Sequence, residues 1–460
     1  MMLPQPAIGV LTGWPAEAYT HSVVIGVDPA ADALALPASR GVVVMLGGEE
    51  VKNTDLKVSG TGTVSRSVFM AATGDCRSLT RRKLAPAERG VRAGADLRSI
   101  VREVRAVACG SAFEADLVYL LLAKALMPHA AKLVAERWRS WWAQIDAHAE
   151  FPEWSKTDLA VGSVAQRSTS TAKGMVQDAA EKEGCILGPF ADKDSAGRFI
   201  ERVVDAFDLC REHRLLVLAP RAQACAYKEM RRCAAPCDGS ETMASYRSRV
   251  ASAVQAVTGG GLAALLSVEE AAMRAAASEQ DFESAARHRA QADRLKKLGG
   301  PSGQRVGRLE DFRFLIVWRS VKEGWARVAC CERGFVRWLA DVNVKNGGEA
   351  AEDAAAELWR VASTWAQGVA QEIMGRNEVD VLGLLARERT CPDTRRTAWF
   401  VPLKHAEDAG EAARAVLRAA AAAMRPRRGG EVDDPAGPVH EIEAMGEPVT
   451  ERLPMEGARP

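Results

Sequence analysis

The sequence lacks an excess of charge of either sign. Its 61 lysines and arginines face 60 aspartates and glutamates, which leaves a net charge of +1 over 460 residues. This balance excludes a uniformly basic surface, so any affinity for nucleic acid must come from local patches. With 47% hydrophobic and 26% charged residues, the composition is typical of a globular protein of two to four domains.

Long hydrophobic runs are also missing. The longest, such as LVYLLLAKALM, contain charge and are too short to cross a bilayer. The first residues, MMLPQPAIGV, have no basic segment followed by an apolar core, so no signal peptide is expected. We therefore predict a soluble cytoplasmic protein without membrane association. In that compartment its ten cysteines stay reduced.

Four of those cysteines crowd into one stretch with the spacing C-x14-C-x7-C-x3-C. They are Cys210, Cys225, Cys233 and Cys237. Thiolates are soft ligands that suit zinc or an iron–sulfur cluster. A structural disulfide pair is disfavoured in a long chain without a secretory signal. Four unrelated buried cysteines are the remaining alternative, and we predict a metal or cluster site.

The flanking residues favour the cluster. A Gly188-Pro189-Phe190 turn and the amphipathic run SAGRFIERVVDAFDLC precede the first cysteine, and CAYKEMRRCAAPC follows. This succession resembles the middle of the UvrC family of excision-repair nucleases, and the long first gap resembles the shorter relatives called Cho. In that family the four cysteines hold a four-iron cluster. The resemblance therefore implies a [4Fe–4S] cluster on the four cysteines of this stretch, with zinc as the alternative.

Residues 41–131 have the pattern of a small α/β domain. Strands are predicted at GVVVML and RSVFMAATG, and helices at CRSLTRRKLAP and FEADLVYLLLAKALMP. With Gly41-Val42-Val43 and Ala72-Thr73-Gly74 as anchors, this resembles the GIY-YIG nuclease domain at the front of UvrC. Residues 1–40 are predicted to be a loosely structured lead-in with room for one added strand.

The chemical positions of that domain are largely substituted. The family uses two tyrosines, an arginine on the phosphate, a carboxylate that holds one divalent metal, and an asparagine. Only the arginine matches, as Arg82, and the other four positions are Val43, Ala72, Tyr119 and Ala131. Valine and alanine cannot move a proton, and tyrosine is a poor magnesium ligand. We expect no magnesium and an impaired nuclease, with Asp116, one turn before Tyr119, left open as a replacement carboxylate.

A basic patch follows the second strand. Residues 77–105 contain nine lysines and arginines against three acids, and such a patch can neutralise phosphates. The candidate DNA contacts are Arg77, Arg81, Arg82 and Lys83. A solvated helix face of mixed charge is the competing interpretation.

Two regions flank the cysteine stretch. Residues 132–187 are predicted to be a connecting helical region, in which ERWRSWWAQI places three tryptophans on a helix. Core packing is favoured for them over stacking on bases. Residues 243–298 are predicted to be helical, with Asp281 as the N-cap of the second helix of a hairpin.

That hairpin resembles the UVR motif, through which UvrC-type proteins bind UvrB. The matching residues are Met273, Asp281, Phe282, Glu283, Ala285, Ala286 and Arg289. The family's aspartate after the arginine is Ala290 here. The resemblance implies partner contacts by Met273, Phe282, Glu283 and Arg289. An ordinary alanine-rich hairpin is the alternative.

Beyond a GGPSGQ linker, residues 305–425 are predicted to form an α+β domain with three consecutive strands. Neither an Asp/Asp/His set nor glycine-rich hairpins are found there. The fold class is α+β and multidomain. The predicted segments are 1–40, 41–131, 132–187, 188–242, 243–298, 305–425 and a disordered tail, 426–460.

Three functional hypotheses follow. The first is a UvrC/Cho-like excision-repair protein that binds DNA and UvrB but has an impaired nuclease centre. The second is an active GIY-YIG incision endonuclease that uses displaced residues such as Asp116. The third is an adaptor outside repair that keeps the UvrC-like scaffold.

Overall fold

The computed structural model describes most of the chain. The described residues are 20–49, 64–85, 97–158, 184–258, 260–299, 306–345, 348–370, 372, 374–392, 394–403, 409–425 and 440–443. Among them, no single helix is long and apolar enough to cross a membrane; only the helices Met243–Thr258 and Gly261–Ser278 together, bent by 110° at the break between them, reach that length and composition.

The described residues form thirteen strands and fourteen α-helices. The strands are β1 His21–Val24, β2 Gly41–Glu49, β3 Val64–Thr73, β4 Val101–Ala108, β5 Trp141–Ile145, β6 Ser155–Thr157, β7 Cys185–Phe190, β8 Gly307–Arg308, β9 Arg313–Arg319, β10 Trp325–Glu332, β11 Phe335–Asn343, β12 Ala398–Pro402 and β13 His440–Glu443. The helices are α1 Pro29–Asp32, α2 Cys76–Lys83, α3 Leu97–Ile100, α4 Ala112–Leu126, α5 Pro128–Glu136, α6 Lys193–Ala206, α7 His213–Leu216, α8 Ala226–Glu229, α9 Met243–Thr258, α10 Gly261–Ser278, α11 Phe282–Leu298, α12 Glu349–Val369, α13 Arg376–Thr390 and α14 Ala409–Met424.

The chain divides into two compact units, and the first holds the described residues up to Val134 together with β13. Its five-stranded sheet has the order β1-β4-β2-β3-β13, and all neighbours are antiparallel. Gly41, at the start of β2, has to be glycine because a Cβ there would stand 2.2 Å from the carbonyl oxygen of Val107. Helix α4 packs on β2 and β3. It is apolar almost throughout and is therefore deeply buried.

The second unit contains Ala135–Arg319 and Gly324–Arg425. Its first sheet has the order β6-β5-β7-β8, and α6 packs on it. Phe199 and Val203 of α6 enter one core with Leu187 of β7. The same core takes Tyr246 and Val250 from α9, so the strands, α6 and α9 form one packed body.

The second sheet of this unit has the order β11-β10-β9-β12, again with antiparallel neighbours. Helices α12 and α14 pack on one face of it. Cys330 belongs to the core on that face, and Cys331, which follows it on the strand, does not. Alternation along a strand turns consecutive side chains to opposite faces, so the two thiols do not form a metal pair.

The secondary structure corrects the sequence analysis in three places. The stretch ERWRSWWAQI is not one helix, because α5 ends at Glu136 and β5 begins at Trp141. Trp138 and Trp142 are buried, in agreement with the preferred core role. More generally, residues 132–187 contribute strands β5, β6 and part of β7 rather than a helical connection. Pairing of β5 with β6 and β7 outweighs helix propensity here.

The other two corrections concern strands that add to the first sheet. Residues 101–108, to which the sequence analysis assigned no strand, form β4 between β1 and β2. Within the tail predicted to be disordered, residues 440–443 form β13 against β3. The rest of that tail, residues 1–19 of the lead-in, and the arginines at positions 89 and 92 of the basic patch lie outside the described residues.

Candidate cysteine-cluster site

Short turns between α6 and α9 position the four cysteines. Cys210 follows α6, Cys225 is the N-cap of α8, and Cys237 lies in a 3-10 helix, Pro236–Asp238. Cys233 and Cys237 are buried, and the other two are half-buried. All four thiols are free. The chain reverses through left-handed residues on the way, including Asp208 at φ 45° and Ala235 at φ 55°.

Two of the four predicted ligands form a close pair. The thiols of Cys210 and Cys233 form a hydrogen bond, which raises the pKa of Cys210 and lowers the pKa of Cys233. Burial raises the pKa of Cys237, and the charges of Asp238, Cys225 and Cys233 raise it further.

Three arginines of this region form ion pairs with acidic residues. Arg211 and Arg232 both form ion pairs with Asp205 on α6. Arg249, on α9, pairs with Glu241 and lies over the ring of Tyr246 at 5.8 Å. Its positive charge contributes to the lowered pKa of Cys233, after the hydrogen bond from Cys210.

Each of these arginines keeps one buried nitrogen without a hydrogen-bond partner among the described residues. The atoms are Nη1 of Arg211, Nε of Arg232 and Nε of Arg249. A buried donor without an acceptor costs about 1–3 kcal/mol. One of the three, Nε of Arg232, lies 3.8 Å from Oδ1 of Asp208.

Tyr246 is the residue of this site that the sequence analysis did not assign. It is buried one turn before Arg249 and belongs to the same core as Phe199. Burial raises the pKa of its hydroxyl, and the neighbouring Cys210 thiol adds to the effect. The spacing of Tyr246, Val250 and Ala253 along one face of α9 was the available signal.

The four thiols are the ligand type that both zinc and iron–sulfur clusters take. The described residues contain no group of three or more His, Cys, Asp or Glu that could hold a metal ion. The arrangement of the cysteines in this structure therefore does not distinguish zinc from a cluster.

Helices α10 and α11 form the predicted antiparallel hairpin. The Oδ1 atom of Asp281 accepts a hydrogen bond from the Ser284 amide at 3.0 Å, which caps α11 as expected. Phe282 is 71% exposed at the tip of the hairpin. Glu283 and Arg289 are also exposed, and Met273 is half-buried. An exposed phenylalanine is the unusual member of this set.

The base of the hairpin is fixed to the cysteine module. Nε2 of Gln291 donates to the Ala206 carbonyl at 2.7 Å, and Arg294 pairs with Asp208 at 3.3 Å. Leu295 and Leu298 enter the core that contains Phe199. The hairpin is therefore anchored at the end of α6, immediately before Cys210, while its tip faces solvent.

The GIY-YIG-like positions lie in the first unit, two of them on the paired strands β2 and β3. In the β2–β3 pairing, Val43 is opposite Ala71 and Val42 is opposite Ala72. Directly opposed residues share a face and consecutive ones do not, so Val43 and Ala72 point to opposite faces of the sheet. Val43 is fully buried in a core that includes Ala71.

The remaining positions differ in burial. Tyr119 is fully buried within α4, and Ala131 is 6% exposed. Asp116 is half-buried, and Arg82 is exposed at the C-terminal end of α2. The structure therefore does not bring Val43 and Ala72 to one site.

The four candidate DNA contacts fall into two pairs. Nε of Arg77 donates to the Leu36 carbonyl at 3.0 Å, and Nζ of Lys83 lies 4.7 Å from the ring centre of Phe69, so both take part in the fold. Arg81 and Arg82 are exposed in the last turn of α2. Positive charges at this C-terminal end of the helix also interact favourably with the helix dipole.

Comparisons with known proteins match the part of the chain that contains the four cysteines. Residues 163–256 match the family model of the UvrC/Cho excinuclease middle domain. Over 120 residues the chain is 33% identical to the UvrABC system protein C of Rhizobium meliloti (strain 1021), which is 26% of this chain and 17% of that protein. It is 35% identical over 120 residues to the UvrABC system protein C of Brucella abortus (strain 2308), again 26% of this chain and 19% of that protein. No solved structure matches.

The matched segment carries the four cysteines. Residues 163–256 are similar to the UvrC/Cho excinuclease middle domain, in agreement with the resemblance seen in the sequence. The chain spans less than a fifth of the length of these two curated relatives.

Proposed function

We propose that the protein is a UvrC/Cho-like component of nucleotide excision repair in the cytoplasm. It binds DNA and UvrB and does not itself cut DNA efficiently. The observation that carries the proposal is the match of residues 163–256 to the UvrC/Cho middle domain. The four cysteines and most of α9 lie within the matched residues.

The cofactor in this proposal is a [4Fe–4S] cluster on Cys210, Cys225, Cys233 and Cys237. The position of these four cysteines within the segment that matches the UvrC/Cho middle domain supports it. Such a cluster supplies a rigid cross-link and a redox-active centre. The residues of the chain provide the ligands, the positive charge and the buried surroundings, because Leu209 and Leu216 pack beside the site. Zinc remains the alternative metal.

The partner surface in this proposal is the tip of the α10–α11 hairpin. Phe282 exposes 71% of its surface, and an exposed aromatic residue on a rigid support is typical of an interface hot spot. Glu283 and Arg289 are exposed on the same helix. In this proposal their charges lie at the rim of the contact, where charged groups change the association rate more than the affinity.

The DNA contacts in this proposal are made by the first unit. Arg81 and Arg82 project from α2 and are available to phosphates. Val43 and Ala72 supply no general base, and they lie on opposite faces of their sheet. Binding without cleavage follows, because cleavage of the phosphodiester requires an activated water and charge stabilisation together.

One reconstitution tests the proposal. The full chain, purified without oxygen, is added to purified UvrA and UvrB on a damaged duplex, and capture by UvrB and binding to the duplex are both measured. We expect capture of the protein by UvrB and retention on the duplex. Absence of both interactions, with the folded protein present, would overturn the proposed role. Capture of UvrB without any DNA affinity would favour an adaptor.

A further inference from the structure

A half-buried arginine of the second unit lies over a pair of phenylalanines. The guanidinium carbon of Arg389, in the last turn of α13, is 4.8 Å from the ring centre of Phe314 and 5.7 Å from that of Phe312. The two ring centres are 5.0 Å apart, with the rings edge to face, and both side chains are buried. The aromatic pair therefore holds this cation at a fixed place beside the start of β9.

The charged group beside Arg389 is a second arginine. Nη2 of Arg396 donates to the Arg389 carbonyl at 3.0 Å and to the Cys391 carbonyl at 3.2 Å, so Arg396 is held at the end of α13. Burial lowers the pKa of Arg389, and the positive charge of Arg396 lowers it further. Among the described residues, no carboxylate forms an ion pair with the Arg389 guanidinium.

The acid next to Arg389 in the chain is engaged elsewhere. Oε1 of Glu388 accepts hydrogen bonds from the backbone amides of Thr397 and Ala398, the second at 2.8 Å, and so fixes the start of β12. The contacts with the phenylalanine rings supply no oxygen acceptor for the five N–H donors of Arg389. A held arginine beside a second cation is therefore preorganised for an anion that the described residues do not supply.

We propose that Arg389 is the centre of a phosphate-binding site at the corner between α13 and β12, with Arg396 as the second positive charge. The planar fork of a guanidinium matches two phosphate oxygens, and the stacking of Arg389 on the rings lowers the entropy cost of binding. Phosphate is favoured over carboxylate because its oxygens can accept from both arginines. The phosphate of a nucleic-acid backbone and a free phosphate ion share this chemistry. The site lies in the second unit, whereas the proposed function assigns its DNA contacts to α2, so the two stand independently.

The chain offers a matched control two residues away. Arg387 is exposed on the same helix, and its Nη1 atom donates to the Arg137 carbonyl at 3.4 Å. Two residues turn an α-helix by roughly 200°, so the side chains of Arg387 and Arg389 leave it on opposite sides. Arg387→Gln therefore removes the same charge without touching the phenylalanine pair. Arg389→Lys keeps the charge but loses the planar fork.

The experiment uses the full chain at constant ionic strength. The unfolding temperature is measured against sodium phosphate concentration, with sodium chloride as the reference salt, and the affinity for a fluorescent single-stranded oligonucleotide without terminal phosphates is measured separately. We expect phosphate to raise the unfolding temperature of the parent above its value in chloride, because it binds the folded state. Arg389→Gln should bind phosphate about tenfold more weakly, since it loses charge-assisted hydrogen bonds. Arg389→Lys should be intermediate, and Arg387→Gln should match the parent.

The oligonucleotide identifies the source of the phosphate. Weaker oligonucleotide binding by Arg389→Gln than by the parent assigns the site to a nucleic-acid backbone. Stabilisation by phosphate that depends on Arg389, with an unchanged oligonucleotide affinity, assigns it to a free phosphate ion. If Arg389→Gln changes neither measurement, the site does not exist.

Two further results bear on the role of Arg389. Equal losses in Arg387→Gln and Arg389→Gln would overturn the site, because they would reflect the general charge of the helix. Should Arg389→Gln fail to fold, Arg389→Lys decides, since it keeps the cation over the rings. Unchanged affinities of that variant for both phosphate and the oligonucleotide would exclude recognition by the guanidinium fork.

Discussion

The Nη1 atom of Arg294 lies 3.3 Å from Oδ1 of Asp208. Arg294 belongs to α11 of the hairpin, whereas Asp208 lies in the left-handed turn two residues before Cys210. The Asp208 carboxylate also stands 3.8 Å from Nε of Arg232, which is next to Cys233. The Asp208 carboxylate therefore links Arg294 of the hairpin with Arg232 of the cysteine module.

The first prediction concerns this connection. Arg294→Ala should loosen the base of the hairpin and lower the local stability of α11 by about 1 kcal/mol, because the pair is only partly shielded from water. Hydrogen exchange of α11 amides measures the change. Lys296→Ala is the matched control, since Lys296 pairs with Glu270 inside the hairpin at 2.9 Å. Equal effects of both variants on the protection of residues 205–210 would contradict a special role for the connection.

A second prediction compares two helical glycines. Gly383 lies in α13, where a Cβ would stand 2.1 Å from the carbonyl oxygen of Trp138. Gly368, in α12, has nothing within 4 Å of its Cβ position. We expect Gly383→Ala to destabilise its unit by about 3 kcal/mol through overpacking. Gly368→Ala should stabilise it by up to about 1 kcal/mol.

Thermal unfolding followed by circular dichroism measures both glycine variants. The midpoint should fall for Gly383→Ala and rise slightly for Gly368→Ala. A tolerated alanine at position 383 would show that α13 can move away from the backbone at residue 138.

The sequence anticipated the elements whose local signals agree with their burial. Three consecutive strands were expected at FRFLIVW, WARVACCE and FVRWLADV, and β9, β10 and β11 lie there. The α10–α11 hairpin was anticipated for the same reason, because Asp281 caps a helix with a clear apolar period. Local propensity and tertiary packing point to the same structure in these segments.

Other parts of the fold depend on pairing between distant residues. Strand β13 exists through its register with β3, where His440 is opposite Ala72, and no local pattern contains that information. The four cysteines were found from their spacing, whereas Arg249, whose charge acts on Cys233, was not. Arg249 lies on α9, and that helix shares a core with α6, which is a tertiary event.

The third prediction concerns the metal. Each of Cys210→Ala, Cys225→Ala, Cys233→Ala and Cys237→Ala should abolish the brown colour and the bound iron of anaerobically purified protein. Removal of the cluster by a chelator should destabilise residues 188–240, because ligand binding and folding are coupled. Cys391→Ala is the control, since Cys391 follows α13 and lies far along the chain from the four cysteines. Iron retained by all four variants would exclude these cysteines as ligands, and bound zinc would favour the alternative metal.

A fourth prediction separates binding from folding at the hairpin. Phe282→Ala should weaken capture of UvrB by about 2 kcal/mol, near 30-fold in Kd, as for an aromatic hot spot. Because the ring is 71% exposed, the unfolding temperature should hardly change. Leu295→Ala is the contrasting variant, since Leu295 is 2% exposed and its loss should cost about 2–5 kcal/mol of stability. Full UvrB binding by Phe282→Ala would place the contact elsewhere.

The last prediction concerns catalysis by the first unit. Restoring a tyrosine at Val43 should not restore incision. Val43 is fully buried, so the larger ring should instead destabilise the sheet by about 1–3 kcal/mol. The parent should not nick a damaged duplex with magnesium or manganese, even with UvrA and UvrB present. DNA binding should persist, fall steeply with added salt, and weaken when Arg81 and Arg82 are changed to alanine.

The control in this assay is Arg77→Ala. The Nε–H of Arg77 already donates to the Leu36 carbonyl at 3.0 Å. Loss of this side chain should therefore lower the stability of the first unit and hardly change the salt dependence of DNA binding. Removal of two phosphate contacts should lower the slope of log K against log salt by about 2, and removal of Arg77 should leave it nearly unchanged. Metal-dependent incision by the parent that disappears in Asp116→Ala would contradict the prediction. The displaced carboxylate would then hold the metal, and the protein would be an active incision nuclease.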